Sequence, residues 1–216
     1  MQKIVKKGIA VLLVVVLAVI LQVQGFAVLG TLPYWESDSD WICRWGRGTA
    51  SIPVVTYYEK LNEDSTFSFL TGMQVAAMKW SPVLNSDFYM STSAGTSRIK
   101  FYGGTKVQID KTRIFTRELR PNETGLTYYF SLWEEGTWKY GASTKTGYKT
   151  DRVFGAIVDM NRTDAQYKNT CLHEFGHALG WMGHSHSSSD VMYFVGSTIT
   201  TLTNADKRHI RQVYYK

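Results

Sequence analysis

Residues 173 to 177 read His-Glu-Phe-Gly-His, and the two histidines can act together only if this stretch is helical. At about 100° per residue, the second His lies about 40° from the first and one turn on, so both imidazoles leave the same face. Leu172, Phe175 and Leu179 fall at roughly 200° to 260°, an apolar stripe on the far side. A chain carrying this helix must bury that stripe in a core while its opposite face looks onto a cleft. Two imidazoles at i, i+4 reach one cation, which is how a helix holds zinc. Glu174 flanks the same face, where a carboxylate can take a proton from a metal-bound water and hand it on to a leaving amine. Five His and eight Glu in 216 residues give this pattern a chance expectation of about 0.4%, so its surroundings have to decide its meaning.

Those surroundings are specific. Gly180 comes seven residues after the first His, and a Gly at a helix end permits the left-handed turn that redirects the chain. Redirection is what a third ligand needs, because continued helix would carry the next residues past the metal. His184 and His186 lie just beyond, so four of the five histidines fall within 14 residues. Cys171 points away from the histidine face, which argues against a thiolate ligand.

The rest of the chain supplies a domain around this helix. Strand signals occur at Ile52 to Tyr58, Asp87 to Ser91, Arg98 to Tyr102, Leu126 to Leu132, Trp138 to Ala142 and Phe154 to Met160. Phe69, Met73, Ala76, Ala77 and Trp80 recur at helical spacing over about Ser65 to Trp80, and Ser81-Pro82 closes that helix. The histidine-bearing helix is expected to begin between Asn161 and Lys168 and to run to about Leu179. Thr203-Asn204-Ala205-Asp206 reads as a capping box ahead of a C-terminal helix. Strand, helix, several strands, helix, irregular loop and helix in that order predict an α+β fold.

At the N-terminus, Lys3, Lys6 and Lys7 precede an apolar run from Gly8 to Leu21, and Gly25-Phe26-Ala27 offers a small-residue cleavage site. Residues 1–29 read as a signal peptide or an N-terminal membrane anchor, 30–50 as a linker entering the domain, and 51–216 as the domain itself. Either reading of the leader places the domain outside the cytoplasm, secreted or anchored at the surface. Outside the leader, Lys+Arg number 21 against 18 acidic residues, a scattered balance that gives nucleic acid no basic patch to bind. Hydrophobic residues at 44% and only 4 Pro exclude a disordered chain. Two cysteines, Cys43 and Cys171, leave a single disulfide or two separate thiols open. Asn122 and Asn161 each head a glycosylation acceptor sequence.

The segment HEFGHALGWMGHS, followed by Ser189-Asp190-Val191-Met192-Tyr193, resembles the metzincin zinc peptidases and above all their matrixin branch. His173, Glu174, His177, Gly180 and Met192 match that family's zinc-binding and methionine-turn positions. The resemblance extends over about residues 41 to 216. It implies a mixed, mostly antiparallel-edged twisted sheet, with the active-site helix and the C-terminal helix as its two main helices. It also implies one catalytic zinc, a monomer, and an endopeptidase acting on a polypeptide substrate. By family layout the substrate lies extended near Leu126 to Phe130, with Met192 as a packed floor under the metal. Calcium is left open, and any membrane contact is expected only through the N-terminal segment.

One departure stands out. The family's third His falls ten residues after the first, where this chain has Gly183, and His184 is eleven after. The loop Trp181-Met182-Gly183 must absorb the additional residue for His184 to serve as third ligand, with His186 and Asp190 as alternatives. This displacement is what supports a rival reading, a non-catalytic binding module that retains the fold. No histidine lies between residues 44 and 172, so the family's second, structural zinc has no histidine ligands here, and no PRCGxPD segment is present. Cys43 could still cap the zinc as a thiolate.

Overall fold

The computed structural model describes residues 37–46, 49–140 and 143–214. The leader read as a signal or anchor, and residues 30–36 of the linker, lie outside the described residues. Among the described residues no helix is long and apolar enough to cross a membrane.

Eight strands and four α-helices are described: β1 (Trp41–Trp45), β2 (Val55–Lys60), α1 (Phe69–Trp80), β3 (Tyr89–Ser91), β4 (Ile99–Gly104), α2 (Lys106–Lys111), β5 (Gly125–Tyr129), β6 (Leu132–Tyr140), β7 (Ser143–Thr150), β8 (Val153–Val158), α3 (Asp164–Ala178) and α4 (Asn204–Tyr214). The fold is α+β. Five strands form one sheet in the order β3-β2-β4-β8-β5. The first four run parallel to their neighbours, and β5 is antiparallel to β8 at the edge. Parallel strands must be covered on both faces, and the interior strands β4 and β8 are accordingly buried almost throughout.

Alternation along β8 divides the core. Val153 and Ile157 join the main cluster with α1 and α3, while Ala156 and Val158 face a second cluster with Ile109, Phe115 and Leu119. In the main cluster the apolar positions of α1 pack directly against α3. Trp80, fully buried, donates its indole N–H to the Leu172 carbonyl at 2.9 Å. Phe175 stacks on Phe101 with ring centroids 6.1 Å apart. The apolar stripe of α3 is thus turned into the core, which leaves the histidine face for the cleft.

The helix ends follow their capping residues. Thr163 accepts from the Gln166 N–H, and the Gln166 side chain accepts from the Thr163 N–H, a complete capping box at the start of α3. Thr203 and Asp206 do the same for α4. Several elements differ from the sequence reading. Residues 30–50, read as a linker, contribute β1, which pairs in parallel with β7 and buries Ile42, Cys43 and Trp45. The strand is short and set among Ser, Asp, Gly and Arg, so its alternation is hidden. The run Leu126 to Leu132 is split between β5 and β6. The hairpin of β6 and β7 forms a second sheet, ordered β1-β7-β6. Its sequences, LWEEGTWKY and STKTGYKT, show little apolar alternation, and Glu135 pairs with both Arg44 and Lys149 across it. Helix α2 was not foreseen either, although Thr105 and Gln108 form the capping box that announces it.

Both cysteines are buried free thiols, and burial pushes both pKa values up. On α4, His209 is buried against the Trp181 ring, with centroids 4.0 Å apart. Burial holds its imidazole down at about 3, against an ordinary 6.5. The unfolded chain takes up a proton here below pH 6.5, the folded chain only near pH 3. This contribution to stability is therefore complete above pH 6.5 and drains away as pH falls through that window. In denaturant titrations of the metal-free chain, moving from pH 7 to pH 4.5 should cost the wild type about 2 kcal/mol more than it costs His209→Phe. Equal losses would show that the imidazole is not kept neutral.

Candidate metal centre and active site

Helix α3 stops because of Gly180, whose φ of +113° is closed to ordinary side chains. The Gly180 N–H donates to the His177 carbonyl at 2.8 Å and the Trp181 N–H to the Gly176 carbonyl at 3.1 Å, a Schellman ending. Three other elements also donate to the end carbonyls. The Tyr129 hydroxyl of β5 donates to His177, the Trp45 indole of β1 to Ala178 at 2.8 Å, and the Tyr214 hydroxyl of α4 to Leu179.

His173, His177 and His184 converge. One nitrogen of each lies within 4.8 Å of the others, and among the described residues this is the one group of three or more His, Cys, Asp or Glu donors placed to share a metal. The His173 and His184 rings are nearly parallel, with centroids 5.3 Å apart, and the His177 ring stands across both. The orientation of the first two is fixed from behind. His173 Nδ1 lies 2.8 Å from the Val191 carbonyl and His177 Nδ1 lies 2.7 Å from the Trp181 carbonyl. A carbonyl only accepts, so each Nδ1 carries the proton and each Nε2 presents a lone pair.

Those two Nε2 atoms face each other at 3.0 Å. Two bare lone pairs at that distance repel unless a cation or a proton is shared between them. The separation is close to the roughly 3.3 Å expected for two imidazoles on one tetrahedral zinc. Burial depresses the pKa of all three rings, to about 4 for His173, which keeps them unprotonated for ligation. The donor set therefore fits a zinc ion held by His173, His177 and His184.

Neither alternative third ligand is in this group. His186 is exposed, and Asp190 is buried with one oxygen accepting from the Ser185 hydroxyl at 2.6 Å and the other from Thr203 at 2.7 Å. Neither thiol is among the converging donors, so the structure gives Cys43 no place as a metal cap. Met192 is fully buried beneath α3, its sulfur 2.5 Å from where a Cβ on Gly176 would sit. The turn that carries it hangs from α4, because Asp206 accepts the N–H groups of Val191 at 3.1 Å and Met192 at 3.3 Å. Asp206 thereby supports the carbonyl that orients His173. Its capping role was legible in the sequence, and this second role was not.

Glu174 is 6% exposed, and its carboxylate reaches across to β5. Thr127 donates its hydroxyl to Oε2 at 2.7 Å. Gly125 makes the room, since a Cβ there would lie 2.6 Å from Oε1. Burial pushes the Glu174 carboxyl up to about 8, against the pull of the Thr127 hydrogen bond. A groove of about 440 Å³ opens over His173, Glu174 and His184, walled by Gly125 on one side and by Tyr193 to Gly196 on the other. Thr127 and Tyr129 were missed as site residues because only tertiary pairing brings β5 to α3.

Three imidazoles from a helix and the loop after it, a buried carboxylate beside the first, and an antiparallel edge strand across the cleft define a metallopeptidase-type domain. The matrixin family profile matches residues 44–215. The chain belongs to the matrixin family, whose members generally use zinc. No curated protein sequence matches it. Two solved structures of myroilysin align with TM-scores of 0.40 at 15% and 12% identity, covering 80% and 88% of this chain and 96% of each myroilysin chain.

Proposed function

We propose that this chain is a zinc endopeptidase that hydrolyses proteins or peptides outside the cytoplasm, exported by its N-terminal segment and acting as a monomer. The observation that carries the reading is the meeting of His173, His177 and His184 beside the buried Glu174 carboxylate. Zinc held by the three imidazoles supplies a Lewis acid that polarises the scissile carbonyl and makes a bound water acidic.

The chain's own groups do the rest. Among the described strands β5 pairs only with β8, so its other edge is free to take an extended substrate by backbone pairing. Glu174 takes a proton from the attacking water and returns it to the amine nitrogen as the C–N bond breaks. Burial pushes the carboxyl up to about 8, and a zinc ion at the three imidazoles would draw it back down toward the ionised form that can accept a proton. The Thr127 hydroxyl holds the carboxylate against β5, the strand that would carry the substrate.

The rival reading, a binding module without catalysis, drew on the displacement of His184. Convergence of His184 with the helix pair supports the enzyme instead. Metal analysis by mass spectrometry is expected to find one zinc per chain, and cleavage of unfolded casein should stop with a chelator and resume with added zinc. A chain that binds zinc stoichiometrically and cleaves nothing across a varied peptide library would favour the binding module.

A further inference from the structure

His184 differs from its two partners in how it is held. His173 and His177 sit on α3, and each has a ring nitrogen anchored on a carbonyl. Among the described residues the His184 ring has no such bond, so its placement depends on its backbone. That backbone is gripped from both sides. The Asp38 carboxylate accepts the His184 N–H at 2.7 Å, and the Asp38 N–H donates to the His184 carbonyl at 2.9 Å. The Ser37 hydroxyl donates to the Met182 carbonyl, and Ser37 bridges Ser185 as an antiparallel ladder step. From the other side the Ser185 N–H donates to the Met192 carbonyl at 2.8 Å.

The grip falls within the loop that must absorb the additional residue. Gly183 has φ +69°, and any side chain there would run into Asp38, Ser37 and Ser39. Glycine at 183 therefore lets the loop turn through a positive φ and leaves the space into which the segment ahead of β1 packs. We propose that Asp38 is a positioning residue for the metal, whose carboxylate, by accepting the His184 N–H, fixes the bulged loop that brings the third imidazole into place. This rests on the three-histidine zinc reading above. It gives the segment before β1 a specific task and accounts for how an eleven-residue spacing can serve in place of ten.

The test is zinc affinity of the full chain, measured by competition with a chromophoric chelator. Asp38→Ala should bind zinc about 10-fold more weakly, the lower end of what loss of a supporting contact to a ligand costs. Asp38→Asn should stay within about threefold of wild type, because its amide oxygen accepts the same N–H without the charge. Peptidase turnover of Asp38→Ala should return to near wild type at saturating zinc, which a merely misfolded variant would not do. His184→Ala separates this proposal from its premise. If His184→Ala binds zinc as well as wild type, the three-histidine reading fails. If His184→Ala is weakened while Asp38→Ala matches wild type, the role of Asp38 alone is overturned. Asp38→Asn as weak as Asp38→Ala would also overturn it, since charge and not the accepted N–H would then matter. Should Asp38→Ala fail to fold, Asp38→Leu, which keeps the branched shape without an acceptor, is read in its place: about 10-fold weaker zinc binding upholds the role, and wild-type affinity refutes it.

Discussion

Glu174→Gln is expected to keep its zinc and to lose about 10²- to 10⁴-fold in turnover of unfolded casein, the usual worth of a positioned proton-transfer group. Gln has nearly the same shape, and its amide oxygen can still accept the Thr127 hydroxyl that Glu174 Oε2 accepts at 2.7 Å. It sits in the same space opposite Gly125, so packing is preserved. What it lacks is a basic oxygen to receive a proton. The three imidazoles are untouched, and zinc measured by mass spectrometry should remain near one per chain. Loss of activity with metal retained isolates the proton-transfer role from metal binding. Wild-type turnover by Glu174→Gln would remove that role from this residue.

Gly180→Ala should produce the largest loss of stability of any single methyl added near the site, about 3 kcal/mol. The φ of +113° costs an L-residue roughly 1–2 kcal/mol, and a Cβ would also strike the Cys43 carbonyl. That obstacle is backbone of a buried strand, so it cannot rotate aside as a side-chain tip would. Relief requires either β1 to move away or the Schellman ending of α3 to open. Opening would detach the loop that carries His184. The variant should therefore unfold at markedly lower denaturant and bind zinc more weakly, both measurable by chemical denaturation with and without zinc. A change below about 0.5 kcal/mol would mean that the turn relaxes without strain.

The parts of this domain written in local code were legible in the sequence. The span of α3 follows from Thr163 and Gln166 at its start and Gly180 at its stop, and its inward face follows from Leu172, Phe175 and Leu179. The pairing of His173 with His177 is likewise a property of one helix. The parts that depend on distant partners were not legible. β1 looks like linker because only β7, about a hundred residues on, gives it a ladder. Thr127 meets Glu174 across a separation of 47 residues, and Asp38 meets His184 across 146. His184 lies between these cases: its residue type and neighbourhood marked it, while the loop geometry that seats it could not be computed from spacing. The cysteines illustrate the same limit, since an even pair in the sequence became two separate buried thiols.

The end of α3 is secured by Trp45, Tyr129 and Tyr214, each from a different part of the chain. An ordinary helix terminus frays on its own, well below the free energy of whole-molecule opening. Here the last turn, which holds His177, is bonded to the parallel strand beside β7, the sheet's outer strand and the C-terminal helix. The seat of His177 thereby draws on three distant parts of the domain at once, so that loosening any one of them weakens the histidine cluster.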